Sequence, residues 1–332
     1  MSKTKYIFSM GKIKRKDNSI AFKNQNGWFY IPVKGTREIY FLNEVSLNSK
    51  LLHFVSKAGI ILHFFNYYGY YIGTFYPKDY LISGRLTIEQ SLAFVQKRTV
   101  IAKAIVSGIA QNTREVLYHY YRHGKKELLP LLKWLKDDVK RLLEKTDDIN
   151  AILFIEGQIW NRFYDSFKYF LPKEFILNKR VKRPPDNPIN ALIGFGNSML
   201  YTKTITMLYH THLDQSVSFL HQPTEARFSL SLDLSEAFKP VIVFKTIFEL
   251  VNRKKLQVEK HFIKELNYAL LNEEGKKIFL QAFENRLNEK FLHSRLNRFV
   301  SYQTAIKLDG YKLIKFIMEN KEFKPFSLKD KR

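Results

Sequence analysis

Through the first 85 residues, apolar and polar positions alternate with a period of two, which is the pattern of half-buried strands. The alternation predicts strands at Tyr6–Met10, Ser19–Lys23, Gly27–Val33, Glu38–Val45, Ile60–Phe65 and Tyr70–Phe75. Turn residues separate them at Lys16-Asp17-Asn18, Asn24-Gln25-Asn26-Gly27 and Lys34-Gly35. Leu51–Lys57 interrupts the series as a short helix. After Ser83-Gly84 the period lengthens to that of a helix. A long helix is expected over Ile88–His123, stopped by Gly124, and Pro130 suits the first position of the next. Thr146-Asp147-Asp148 can cap a third helix running to Leu171, and Asn187-Pro188 can start a fourth. Further helices are expected at 234–253, 257–271, 273–291 and 301–319, and no segment repeats at a fixed period. The reading is an α+β protein: an N-terminal β domain over 1–85, then a larger all-α domain over 86–332.

Composition narrows the partner. The chain has 45% hydrophobic residues, enough for sizeable cores, so it is not a disordered polycation. It also carries 55 Lys and Arg against 31 Asp and Glu, a net charge of +24. Such an excess attracts polyanions, with nucleic acid as the first candidate and an anionic membrane surface as the second. A Pro-bounded run holds Lys179, Arg180, Lys182 and Arg183; Arg227, Lys290, Arg295 and Arg298 are further candidates for phosphate contact. The plainer reading of such a run is a solvated loop.

There is no cysteine, which excludes disulfides, thiolate metal sites and Cys nucleophiles. The opening MSKTKYIFSMGKIKRKDN lacks the apolar core and cleavage site of a signal peptide, so a cytoplasmic location is expected. The most apolar stretch, AGIILHFFNYYGYYIGTFY at 58–76, contains His63, Asn66 and several glycines, and reads as paired strands rather than a membrane span.

Candidate chemistry rests on four residues. Glu156 shares a helical face with Ile152, Ile159, Trp160 and Phe163, and no Lys or Arg lies between Asn150 and Asn161 to neutralise it. A carboxylate there either reaches solvent at a core edge or needs a metal or a distant cation. His221 ends an apolar run, as a structural His or a ligand, with His210 and His212 as competitors. Asp233 and Glu236 are three apart; Asp233-Leu-Ser-Glu236 fits a capping box, in which Asp233 would be worth ~1 kcal/mol as a cap. Two carboxylates and an imidazole also form a ligand set suited to Mn²⁺ or Mg²⁺. Spacing alone does not bring these separated residues together.

The blocks that carry them resemble the CRISPR-associated endonuclease and integrase family Cas1. The matching stretches are YIFSMGKIKRKDNSIAF, FIEGQIWNRFYDSFKY at 154–169, RPPDNPINALIGFGNSMLY from Arg183 to Tyr201, and SFLHQPTEARFSLSLDLSEAFKPVIV. SYQTAIKLDGYKLIKF extends the resemblance close to the end, and its character is nearest the subtype I-B branch. One departure is the segment Leu213-Asp-Gln-Ser-Val-Ser218, where many members have a Leu-Asp-Pro turn and a glycine. The resemblance implies that Glu156, His221 and Glu236 bind the metal, with Asp233 as a second acidic position beside it. It implies a β domain that carries a homodimer contact, a helical catalytic domain, double-stranded DNA as substrate and the small protein Cas2 as partner. The activity implied is metal-dependent cleavage and strand transfer at a phosphodiester. A branched-DNA repair nuclease would use the same residues, and a non-catalytic basic DNA-binding scaffold would dispense with them.

Overall fold

A computed structural model describes residues 3–78, 81, 83–182, 184–223, 228–263, 269–294 and 296–330. The chain divides into two compact units, Met1–Ile82 and Ser83–Arg332.

The first unit contains β1 (Lys3–Ile7), β2 (Gly11–Lys16), β3 (Ser19–Asn24), β4 (Gly27–Pro32), β5 (Thr36–Phe41), β6 (Val45–Ser46), α1 (Ser49–Lys57), β7 (Ile61–Phe65) and β8 (Tyr71–Phe75). They form two four-stranded sheets, ordered β1-β5-β7-β8 and β4-β3-β2-β6. The charged stretch Gly11–Lys16 was not expected as a strand. It forms one because Ile13, almost fully buried, faces the core opposite Phe22 while lysines alternate outward. The expected single strand over Glu38–Val45 is two: β5 pairs with β1 and β7, and β6 crosses to pair with β2. Gly27, at φ 114°, takes the left-handed turn between β3 and β4 that a side chain would strain. The unit has its own core of Ile13, Ile20, Phe22, Ile39, Phe41, Leu51 and Leu62.

The second unit is mainly helical. Its spine is α2 (Gly84–Arg122), 39 residues long and capped by Ser83. Next come α3 (Leu129–Lys133) and α4 (Val139–Glu144), joined by a π-helical turn at Trp134–Asp138, and α5 (Ile149–Asp165). Asp148 caps α5 by accepting the Ala151 N–H at 3.0 Å. Asn187 caps α6 (Pro188–Tyr209) in the same way, and Pro188 fills the first turn. α7 (Ser229–Glu236) passes through a π-helical turn at Pro240–Phe244 into α8 (Lys245–Asn252).

The helix expected at 257–271 is not continuous. Among the described residues of that range only α9 (Val258–His261) is helical; Phe262 then bridges Leu271, and Ile263 N–H bonds the Leu270 carbonyl. Asn272 draws these ends together by bonding Lys260 and His261 before it caps α10 (Glu273–Asn288). The last stretch of 273–291 is also not helical. β9 (Lys290–His293) pairs with β10 (Arg298–Ser301) as a hairpin ahead of α11 (Tyr302–Glu319), so the unit is not wholly α. Among the described residues, no helix is long and apolar enough to cross a membrane.

Candidate active site

α5, α7 and the segment before α7 bring four of the predicted residues together. Glu156 sits half-buried in the middle of α5, one turn from Trp160. The indole N–H of Trp160 donates to Glu156 Oε1 at 2.5 Å. Trp160, an apolar neighbour in the helical pattern, is also the residue that orients the carboxylate.

His221 and Asp233 form the second part. Asp233 is fully buried, and its Oδ1 lies 2.8 Å from His221 Nδ1. Its Oδ2 accepts the N–H groups of Phe219 and Leu220 at 2.6 and 2.8 Å, and Oδ1 accepts that of His221 at 3.0 Å. The capping-box reading of Asp233 is therefore corrected. α7 begins at Ser229, so Asp233 lies inside the helix and its side chain reaches across to the histidine segment. An ionised carboxylate only accepts, so the imidazole places its proton on Nδ1 and leaves Nε2 free to ligate. Burial lowers the pKa of His221, but the hydrogen bond and charge of Asp233, with the charges of Glu236 and Glu156, outweigh it and raise the pKa overall.

Glu236 completes the cluster. Its side chain is buried, its Oε1 takes the ammonium of Lys239, and its Oε2 is buried without a hydrogen-bond partner. Glu156 feels this neighbour. Burial first, and then the charge of Glu236, push its carboxyl from 4.5 up to about 7, against the opposing pull of Lys239, His221 and Trp160.

The donor set fits a hard divalent cation with one nitrogen ligand, and the unpaired Glu236 oxygen and the mutual repulsion of two glutamates call for positive charge. Among the described residues, however, no three His, Cys, Asp or Glu side chains converge closely enough to hold an ion as they stand. The hydrogen bonds explain this: Trp160 holds Glu156, Lys239 holds Glu236 and Asp233 holds His221.

Supporting residues come from α2, far away in sequence. Gln90, fully buried, donates to the carbonyls of Asp214 and Val217 at 2.7 and 3.1 Å and accepts the Asp214 N–H at 3.1 Å. Arg98 donates to the Phe219 carbonyl at 2.9 Å. Gln215 is buried and linked to Ser231 of α7. The segment that departs from the family pattern is thus tied down at both ends. Behind Glu236, buried Asn112 donates to the Ala237 carbonyl at 2.7 Å. Of the competing histidines, His210 is the C-cap of α6 and His212 is exposed.

The basic candidates divide. Lys179, Lys182, Lys290 and Arg298 are exposed. Arg180 is half-buried and bonded to Asn190 Oδ1 at 2.9 Å and to the Val181 carbonyl at 2.5 Å. It also bonds the hydroxyl of Tyr164, whose pKa is raised mainly by burial and which lies within the field of Glu236 and Glu156. Arg183, Arg227 and Arg295 lie outside the described residues.

The model of the family described as CRISPR associated protein Cas1 matches residues 5–285. The chain belongs to the Cas1 family. It is 43% identical to the CRISPR-associated endonuclease Cas1 2 of Thermodesulfovibrio yellowstonii, over 98% of this chain and 99% of that one. The solved structure of a Cas1 protein from Thermotoga maritima superposes with a TM-score of 0.84 at 36% identity, covering 97% of this chain and 99% of that one. A casposase bound to its integration product also reaches a TM-score of 0.84, covering 99% and 94%; at 21% identity that likeness is one of fold.

Proposed function

We propose that this Cas1-family chain is a metal-dependent DNA endonuclease and integrase of CRISPR adaptation. It would insert captured DNA fragments at the repeat by attack of a 3′-hydroxyl on a phosphodiester, with water replacing the hydroxyl in cleavage. The observation that carries the reading is that Glu156, His221, Asp233 and Glu236, from separated blocks, lie within one another's electrostatic reach, with Asp233 and Glu236 buried. The chain's likeness to the CRISPR-associated endonuclease of Thermodesulfovibrio yellowstonii supports it.

Glu156, His221 and Glu236 would hold Mn²⁺ or Mg²⁺, which when bound polarises the scissile phosphate and stabilises charge on the attacking or leaving oxygen. Asp233 fixes the tautomer and the direction of the His221 ring. Trp160 fixes Glu156, and Gln90 with Arg98 fixes the backbone on which His221 rides. Lys179, Lys182, Lys290 and Arg298 are proposed to contact DNA phosphates, giving affinity with little sequence readout.

The β domain is proposed to carry a homodimer contact, the dimer assembling with Cas2 on double-stranded DNA in the cytoplasm. A solved partial Cas6-RT-Cas1–Cas2 complex contains a chain of this fold, at 17% identity and a TM-score of 0.65. The test is strand transfer of a short duplex into repeat DNA, with Mn²⁺ or Mg²⁺, with chelator, and with and without Cas2. Transfer that needs the metal is the expected result. Cleavage of branched DNA with no transfer under any condition would favour a repair nuclease instead.

A further inference from the structure

The cluster holds a cation of its own. Lys239 lies one helical turn beyond Glu236, its ammonium pairs with Glu236 Oε1, and it stands 5.7 Å from the centre of the Trp160 ring. The N–H of that same indole is given to Glu156. Lys239 is also close enough to Glu156 to favour the ionised form of its carboxyl. The ammonium is thus paired with Glu236 while its charge reaches Glu156, and it is shielded: the Lys239 and Glu236 side chains are only 14% and 3% exposed.

A plain structural ion pair would look different. A buried pair retained for stability would satisfy both carboxylate oxygens, since a buried unpaired oxygen is costly and an ammonium has three donors. Here Glu236 Oε2 stays buried and unpartnered. The ligand side chains also stop short of convergence. Both features follow if the lysine occupies ground that a larger charge will take.

We propose that Lys239 is a place-holder for the metal: its ammonium holds Glu236 on the side a divalent ion would take, and the ion enters by displacing it. The inference rests on the reading of Glu156, His221 and Glu236 as ligands. It accounts for the positive charge that balances buried Glu236 beside half-buried Glu156. It also sets a threshold. A tethered ammonium has a high effective concentration, so free monovalent ions do not compete with it. A doubly charged ion gains twice the Coulomb attraction and does. The site thus loads less tightly than its ligands alone would allow.

The test is calorimetric titration of the full chain with Mn²⁺ for wild type, Lys239→Gln, Lys239→Met and Glu236→Gln, with a crystal structure of the Mn²⁺-soaked wild type. Lys239→Gln should tighten Mn²⁺ by about tenfold or more, the order of effect expected when a competing charge is removed at short range. In the metal-bound crystal the Lys239 ammonium should have left Glu236. Glu236→Gln should lose binding. If wild type binds Mn²⁺ and neither Lys239 variant binds it more tightly, or if the ammonium stays on Glu236 beside a bound ion, the place-holder is refuted while the metal site stands. If wild type and both Lys239 variants all fail to bind, the metal reading falls and takes this inference with it. Should both Lys239 variants unfold, the position of the ammonium in the Mn²⁺-bound wild type decides alone.

Discussion

Asp233 and His221 are joined twice: Asp233 Oδ1 lies 2.8 Å from the ring Nδ1 and 3.0 Å from the backbone nitrogen of the same histidine. With Phe219 and Leu220 bonded to the other oxygen, a single buried carboxylate sets both the backbone and the ring of the proposed ligand. Asp233→Ala is expected to cost about 2–5 kcal/mol, because it strands buried donors that had been paired with a charge. That exceeds the ~1 kcal/mol of a helix cap. In variants that remain folded, such as Asp233→Asn, Mn²⁺ affinity should fall by about 10–100-fold. Urea denaturation and metal titration check both. A loss of stability near that of a cap alone would show that the carboxylate does not organise the segment.

Glu156 gives a prediction with a sign. Its carboxyl titrates near 4.5 in the unfolded chain and at about 7 in the fold, so the neutral form is preferred on folding. Wild type therefore loses stability as pH rises from about 4.5 to 7 and levels off above, since the unfolded chain gives up its proton first. Glu156→Gln stays neutral throughout. Without metal it should match wild type at acid pH and be the more stable by about 1–3 kcal/mol at pH 8, after discounting for the half-exposed position. Adding Mn²⁺ should reverse the order, because only wild type gains binding energy. Thermal melts at several pH values, with and without Mn²⁺, read this directly. A variant less stable than wild type in chelator at pH 8 would contradict it.

Much of this was legible in the chain because local chemistry agreed with the final structure. Asp148 and Asn187 stand where the sequence places caps, and Gly27 stands where a turn needs positive φ. Local pattern misleads where long-range pairing overrides it. Gly11–Lys16 has one buried side chain among lysines and becomes a strand only through Phe22 opposite. Phe262, Leu270 and Leu271 have helix-like spacing, but Asn272 folds their backbone into a bridge. In the site, Lys239 and Trp160 were within reach of the sequence, at helical spacing from Glu236 and Glu156. Gln90 and Arg98 were not, since their partners lie more than a hundred residues away and no spacing rule connects them.

Gln90 provides the test of that distant support. Gln90→Leu keeps the shape but leaves the Asp214 N–H and the carbonyls of Asp214 and Val217 without their buried partner. The expected cost is about 2–3 kcal/mol in stability. Strand transfer should slow by about 10–100-fold, through displacement of the segment that carries His221. DNA affinity should not change, since Gln90 is fully buried. Equal turnover rates for variant and wild type would separate this segment from the chemistry.

The basic run before α6 separates into two kinds of residue, and mutation should show the difference. Lys179 and Lys182 are exposed, whereas Arg180 is held by Tyr164, Asn190 and Val181. If each lysine neutralises one phosphate, each releases counterions and contributes about −0.9 to the slope of log affinity against log salt. Replacing both by Gln should flatten that slope by about two units and weaken binding to every duplex alike, with no change in melting temperature. Arg180→Gln should do the reverse. The salt slope should be nearly unchanged, while stability falls by about 1–3 kcal/mol as partners of a charged donor are left unpaired. Salt titrations of DNA binding, read beside thermal melts, distinguish the two. A double lysine variant with the wild-type slope would move the DNA path away from this loop, toward Lys290 and Arg298 on the hairpin.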